Sequence, residues 1–121
     1  MRHESLYLTD ILEAEDHIAE FIKGTDFKAF QQSEMLRSAV VQKLDVIGEA
    51  AARISTELKT RHPQVPWPQI VAFRDMLIHA YFGIDWEVVW RAAMNRFPVL
   101  REQAARILAV ECGGLANESG T

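Results

Sequence analysis

Residues 36–58 read LRSAVVQKLDVIGEAAARISTEL, and the spacing within this stretch decides the fold class. Leu36, Val40, Leu44, Ile47, Ala51, Ile54 and Leu58 recur at steps of three or four. On a helix that spacing gathers them into one core-facing stripe. A half-buried strand would need alternation at every second residue. Ser33 stands where a hydroxyl can cap the first turn. Gly48 interrupts the run at a cost of about 1 kcal/mol relative to alanine, so it marks either a close approach by another helix or a tolerated weakness.

The same period extends outward in both directions. Leu8, Ile11, Ile18 and Ile22 lie near one face of an earlier helix, with Asp10, Glu13, Asp16 and Glu20 between them, and Lys23-Gly24 reads as its end. Phe27 and Phe30 are placed to anchor the connection that follows. Downstream, His62-Pro63-Gln64-Val65-Pro66-Trp67-Pro68 is a proline-rich break, and Pro68 suits the first turn of a third helix through Ile70, Phe73, Leu77 and Ile78 towards Tyr81. Gly83 ends that pattern. Asp85 can cap a fourth helix, with Glu87 in its first turn. Its stripe is Trp86, Trp90, Ala93, Phe97, Leu100, Ala104 and Ile107, and Pro98 predicts a kink or break within it. The predicted fold is all-α: an up-and-down four-helix bundle with the Pro-rich break between its two helical pairs. Residues 1–110 form the domain, and the Gly-, Asn-, Ser- and Thr-containing residues 111–121 are expected to be a disordered tail.

Composition narrows the function classes. With 121 residues, 49% hydrophobic and 25% charged, the chain fits one ordinary globular domain. No run approaches the roughly 18 apolar residues of a membrane span. Met1-Arg2-His3-Glu4 does not open a signal peptide, so a cytoplasmic location is expected. The single cysteine, Cys112, can form no intrachain disulfide and has no companion metal ligands. A net charge of −4 lacks the basic footprint of a general nucleic-acid binder. Any nucleic-acid contact would need a local patch or a surface shared between subunits.

The chemistry-bearing residues gather in Arg74-Asp75-Met76-Leu77-Ile78-His79-Ala80-Tyr81. Taken singly, each has a structural default: surface charge for Arg74 and Asp75, a satisfied half-buried imidazole for His79, a core or rim aromatic for Tyr81. Taken together they suit RNA cleavage without a metal ion. An imidazole can take a proton from a ribose 2′-hydroxyl or give one to a leaving oxygen. A guanidinium fork matches a phosphate and the charge it gains in the transition state. Asp75, four residues before His79, could orient the imidazole. One geometric difficulty stands out. Arg74 and His79 are five residues apart and diverge by about 140° on an ideal helix. Both can face one substrate only if the helix loosens near His79, if Arg74 reaches across, or if a second subunit completes the site.

Val65-Pro66-Trp67, the Arg74…His79-Ala80-Tyr81 spacing, Ile84-Asp85 and Val89-Trp90 together resemble the signature region of HepT-like proteins of the HEPN superfamily. Ile47-Gly48-Glu49-Ala50-Ala51 is similar to their second-helix segment, so the resemblance spans most of residues 6–108. It implies a cofactor-free, metal-independent endoribonuclease toxin with Arg74 and His79 catalytic, leaving a cyclic phosphate end, and a homodimer whose two motifs face one cleft. It also implies a partner, a minimal nucleotidyltransferase antitoxin of the MntA kind, which silences the toxin by transferring AMP to Tyr81. Asp75 departs from the pattern, because that position is most often Asn. A carboxylate there cannot donate to a phosphate and repels one.

Two other readings remain open. One is a HEPN domain without nuclease activity that serves as a helical binding partner of a nucleotidyltransferase. The acidic net charge and Asp75 point that way. The other is a helical scaffold dimerising through a Trp86 and Trp90 face.

Overall fold

The computed structural model describes the backbone of residues 2–120 and the side chains of residues 4–112. Helix α1 (Arg2–Ile22) ends at Gly24, whose φ of +72° lies in the left-handed region that glycine enters without strain. A short α2 (Phe27–Gln32) follows, capped by Asp26 and carrying the fully buried Phe30. Helix α3 (Glu34–Arg53) begins as predicted, with Ser33 Oγ accepting from Leu36 N at 3.1 Å.

The stripe to Leu58 is not one helix. α3 stops at Arg53 and α4 covers Thr56–Arg61. The cause is a contact from 51 residues away: Ser55 N donates to Glu4 Oε1 at 3.2 Å, and Ser55 Oγ also bonds Glu4 while capping Leu58 N. Ile54 and Leu58 remain buried on either side of the break, so the apolar spacing survives a change of direction.

Helix α5 (Trp67–His79) takes Pro68 into its first turn, and the buried Trp67 donates its indole N–H to His62 O at 3.0 Å. Helix α6 (Trp86–Arg91) is capped by Asp85. Near Pro98 the expected interruption takes a defined form, a π-helical segment over Ala92–Arg96 leading into α7 (Phe97–Gly120). Proline has no N–H to donate and its ring clashes with the carbonyl four residues earlier, here that of Met94. Widening the preceding turn relieves the clash, and Phe97 N bonds Ala92 O across five residues.

Four long arms result: α1, α3, α5 and the α6–α7 run. α1 packs against α3 and α7, and α3 against α5. At one end of the bundle Glu4 meets Ser55, while Arg61 and His62 both hold Glu111 at 2.7 Å. Those hydrogen bonds, Arg61's first, bring the Glu111 carboxyl down to about 2. At the other end Phe30 lies against Trp86 and Trp90, with ring centroids 6.1 and 5.2 Å away. Successive arms are therefore antiparallel, and the up-and-down bundle is the observed fold. Trp86 and Trp90, both half-buried, pack α2 onto α6, with Arg37 over the Trp86 ring. The tail expected over residues 111–121 falls outside the described side chains, apart from Glu111 and the buried Cys112. No described helix is long and apolar enough to cross a membrane.

Candidate active site

Helix α5 carries three of the four singled-out residues. Arg74 points into the seam with α3. Its Nε donates to Asp45 Oδ1 at 2.9 Å and its Nη2 to Glu49 Oε1 at 2.9 Å. Asp75 Oδ1 lies a longer 3.4 Å from Nη1. The hydrogen bond to Asp45, with the charges of Asp45, Glu49 and Asp75, pushes the guanidinium above the ordinary arginine value. Its charge is therefore permanent. Glu49 is itself held from the far side, where Arg53 Nε donates to Oε2 at 2.8 Å.

Gly48 makes this arrangement possible. A Cβ at position 48 would fall far inside van der Waals contact distance of Arg74 Cβ and 2.5 Å from its Cγ. Of the two readings the sequence allowed, the structure shows the close helix approach.

His79 is the last residue of α5 and is exposed. Its imidazole makes no hydrogen bond, ion pair or ring contact among the described residues. The backbone leaves helical geometry only at Ala80 (φ −123°, ψ 31°), after which Tyr81–Gly83 form a 3-10 turn. The helix therefore does not loosen between Arg74 and His79, and the two side chains diverge as on a regular helix. Of the three ways to join them, neither a looser helix end nor a reach by Arg74, which is held on α3, is seen within this chain. Asp75 reaches Arg74 and makes no bond to His79. The nearer positive charge takes the carboxylate, so the orienting contact predicted from the i, i+4 spacing is not made.

Tyr81 opens the 3-10 turn, 38% exposed, with its ring edge-on to both Phe82 and Trp86 at 5.8 and 6.1 Å. Its hydroxyl has no hydrogen-bond partner among the described residues. Phe82 beside it is wholly exposed. Arg74, His79 and Tyr81 thus lie along the run of chain leading to the α2–α6 end of the bundle, with Arg74 facing a different side from His79.

A groove of about 500 Å³ between α5 and α7, lined by Ile70, Phe73 and Leu100, includes none of the four residues. A smaller hollow of about 330 Å³ between α1 and α3 is lined by Tyr7, Asp10, Asp45, Glu49 and Arg53, and so reaches the carboxylates of Arg74 from behind. Among the described residues, no three His, Cys, Asp or Glu side chains are grouped to hold a metal ion. Asp45 and Glu49 were not singled out from sequence. Their signal was present, two acids flanking Gly48 on one face of α3, but it looks like any solvated helix edge until Arg74 is placed against it.

Comparison with known proteins agrees with this architecture. The family model described as ribonuclease HepT-like matches residues 11–107. A protein named probable ribonuclease HepT in Thermococcus cleftensis is 40% identical over 95 residues, which is 78% of this chain and 86% of that one. A presumed RNase of Methanocaldococcus jannaschii is 36% identical over 102 residues, 84% of this chain and 94% of its own. Another, from Caldanaerobacter subterraneus, is 36% identical over 105 residues, 87% and 94% of the two chains. No solved structure matches. The chain belongs to the ribonuclease HepT-like family of the HEPN superfamily.

Proposed function

We propose that this protein is a metal-independent endoribonuclease, the toxin of a toxin–antitoxin pair, with Arg74 and His79 as its catalytic residues. The observation that carries this reading is His79: an exposed imidazole with no partner, on the same helix as an arginine whose charge is fixed. His79 takes the proton of a ribose 2′-hydroxyl, and the freed oxygen attacks the adjacent phosphorus. The 2′-O–P bond forms as the P–O5′ bond breaks, leaving a cyclic phosphate, and water returns a proton to O5′. Arg74 neutralises the charge that gathers on the phosphate oxygens. Because the two residues face different sides of α5, a homodimer supplies the convergence, with Arg74 of one copy and His79 of another lining one cleft.

The test is RNA cleavage by the purified protein beside a His79→Ala control. Loss of general acid–base catalysis is expected to slow cleavage by about 10²–10⁴-fold. Equal cleavage by both proteins sinks the assignment.

Control belongs to Tyr81. A small nucleotidyltransferase antitoxin transfers AMP from ATP to its hydroxyl with release of pyrophosphate, and the added phosphate competes with RNA for Arg74. Tyr81→Phe is expected to keep its RNase activity and escape neutralisation. A Phe variant that the antitoxin still silences removes Tyr81 from this role. A non-catalytic binding module remains the second reading, favoured by one observation: three carboxylates already surround Arg74. The same cleavage assay separates the two.

A further inference from the structure

The deepest commitment of this seam is not the arginine but what holds it. The stem of Arg74 lies across Gly48, the fork meets two carboxylates of α3 at 2.9 Å, and Arg53 fixes one of those carboxylates in turn. A guanidinium has five N–H donors. Asp45 takes the one on Nε and Glu49 one of the two on Nη2. Nη1 is left with only the 3.4 Å contact to the exposed Asp75. The Nε–Nη2 edge of the fork is thereby anchored, while Nη1 and the second N–H of Nη2, which make up its outer edge, meet nothing stronger than the contact to Asp75.

We infer that Asp45 and Glu49 are positioning residues for the cleavage reaction: they seat Arg74 so that its outer N–H edge is presented to the scissile phosphate. This inference rests on the ribonuclease reading. An unanchored arginine samples many rotamers, and a transition-state contact needs the donor already in place. The seat costs affinity, because the same carboxylates repel the RNA backbone. Its signature is therefore in turnover and not in binding. Asp75, bonded only at the outer end, is the group a phosphate displaces.

The experiment measures kcat and KM separately for Asp45→Ala and Glu49→Ala, each beside its amide counterpart, Asp45→Asn and Glu49→Gln. The Ala variants are expected to lose kcat about 10–100-fold with KM unchanged or lowered. The amide variants, whose carbonyl oxygen still accepts from the guanidinium, recover most of it. In an Arg74→Ala background, Asp45→Ala is expected to add nothing, since it acts through Arg74. Wild-type kcat in the Ala variants, or an equal further loss in that background, overturns the inference. A second readout needs no catalysis. In protein with ¹⁵N-labelled arginine, the Arg74 Nε–H resonance is expected to be shifted and slow to exchange, and to collapse toward the free-arginine position in Asp45→Ala. A resonance already at that position in the wild type overturns the seat whether or not RNA is cut. An anchored resonance in a protein that cuts no RNA supports the seat and overturns the ribonuclease reading instead.

Discussion

Two seams of the bundle each bring an arginine against acidic neighbours, and they treat the negative charge in opposite ways. Between α3 and α5, Arg74 is ringed by Asp45, Glu49 and Asp75, all three of which keep about half of their side-chain surface in water. Between α1 and α7, Arg101 Nε bonds Asp16 at 2.7 Å, while the preceding residue, Glu15, turns inward and is only 3% exposed. Neither oxygen of Glu15 has a partner among the described residues. Burial first, and then the charge of Asp16, raise its pKa to about 8, against a smaller opposing pull from Arg101. One seam leaves its surplus carboxylates half in water and shares a guanidinium among them. The other discharges its surplus by holding a proton. The charged seam is the one that carries the candidate chemistry, which is where a fixed ionic scaffold has a use.

The sharpest way to break this contrast is to remove the contact on which the α3–α5 seam depends. Gly48→Ala gains about 1 kcal/mol of helix propensity. It also forces a methyl group against Arg74 Cβ and to within 2.5 Å of Cγ, and overpacking of that kind typically costs about 1–3 kcal/mol. The atoms in the way belong to the base of the side chain and cannot swing aside, so the helices must separate. A net loss of stability is expected, read as a Tm lowered by several degrees, together with loss of RNA cleavage as the seat opens. Because alanine keeps Cβ, Arg74→Ala relieves little of the clash, and Gly48→Ala is expected to destabilise that variant too. A raised Tm in Gly48→Ala would show that the two helices do not approach so closely.

That seam also marks where the sequence was legible and where it was not. The stripe from Leu36 to Leu58, the caps at Ser33 and Asp85 and the proline-rich break are local patterns, and local patterns set the helices and their core faces. The details that spacing left open were set from a distance or by a choice among local remedies. Glu4 stopped α3 from across the bundle, and Pro98 was accommodated by a π turn where a kink would also have served. The site divides in the same way. Arg74, His79 and Tyr81 stand out by type and spacing. The roles of Asp45 and Glu49 depend on which face of α5 meets which face of α3, and that is a tertiary fact. Asp75 shows the reverse hazard: a four-residue spacing suggested His79, but the adjacent guanidinium attracts it more strongly.

The α1–α7 seam yields a smaller and graded effect, set by pH. Glu15 has a folded-state pKa of about 8 against about 4.5 for the unstructured residue. Between those values the folded protein holds a proton that the unfolded chain releases, so raising the pH favours unfolding. Its contribution is complete below about 4.5 and is lost as pH rises through about 8, with a slope of at most about 1.4 kcal/mol per pH unit. Urea unfolding at pH 5, 6.5 and 8 measures that slope. Glu15→Gln, which cannot ionise, is expected to flatten it, while Glu15→Leu flattens it and adds about 1–2 kcal/mol at neutral pH by removing two unpaired polar atoms. An unchanged slope in both variants would mean that Glu15 is hydrated and charged in the folded protein. The two seams would then handle their acids alike, and the contrast between them would fall.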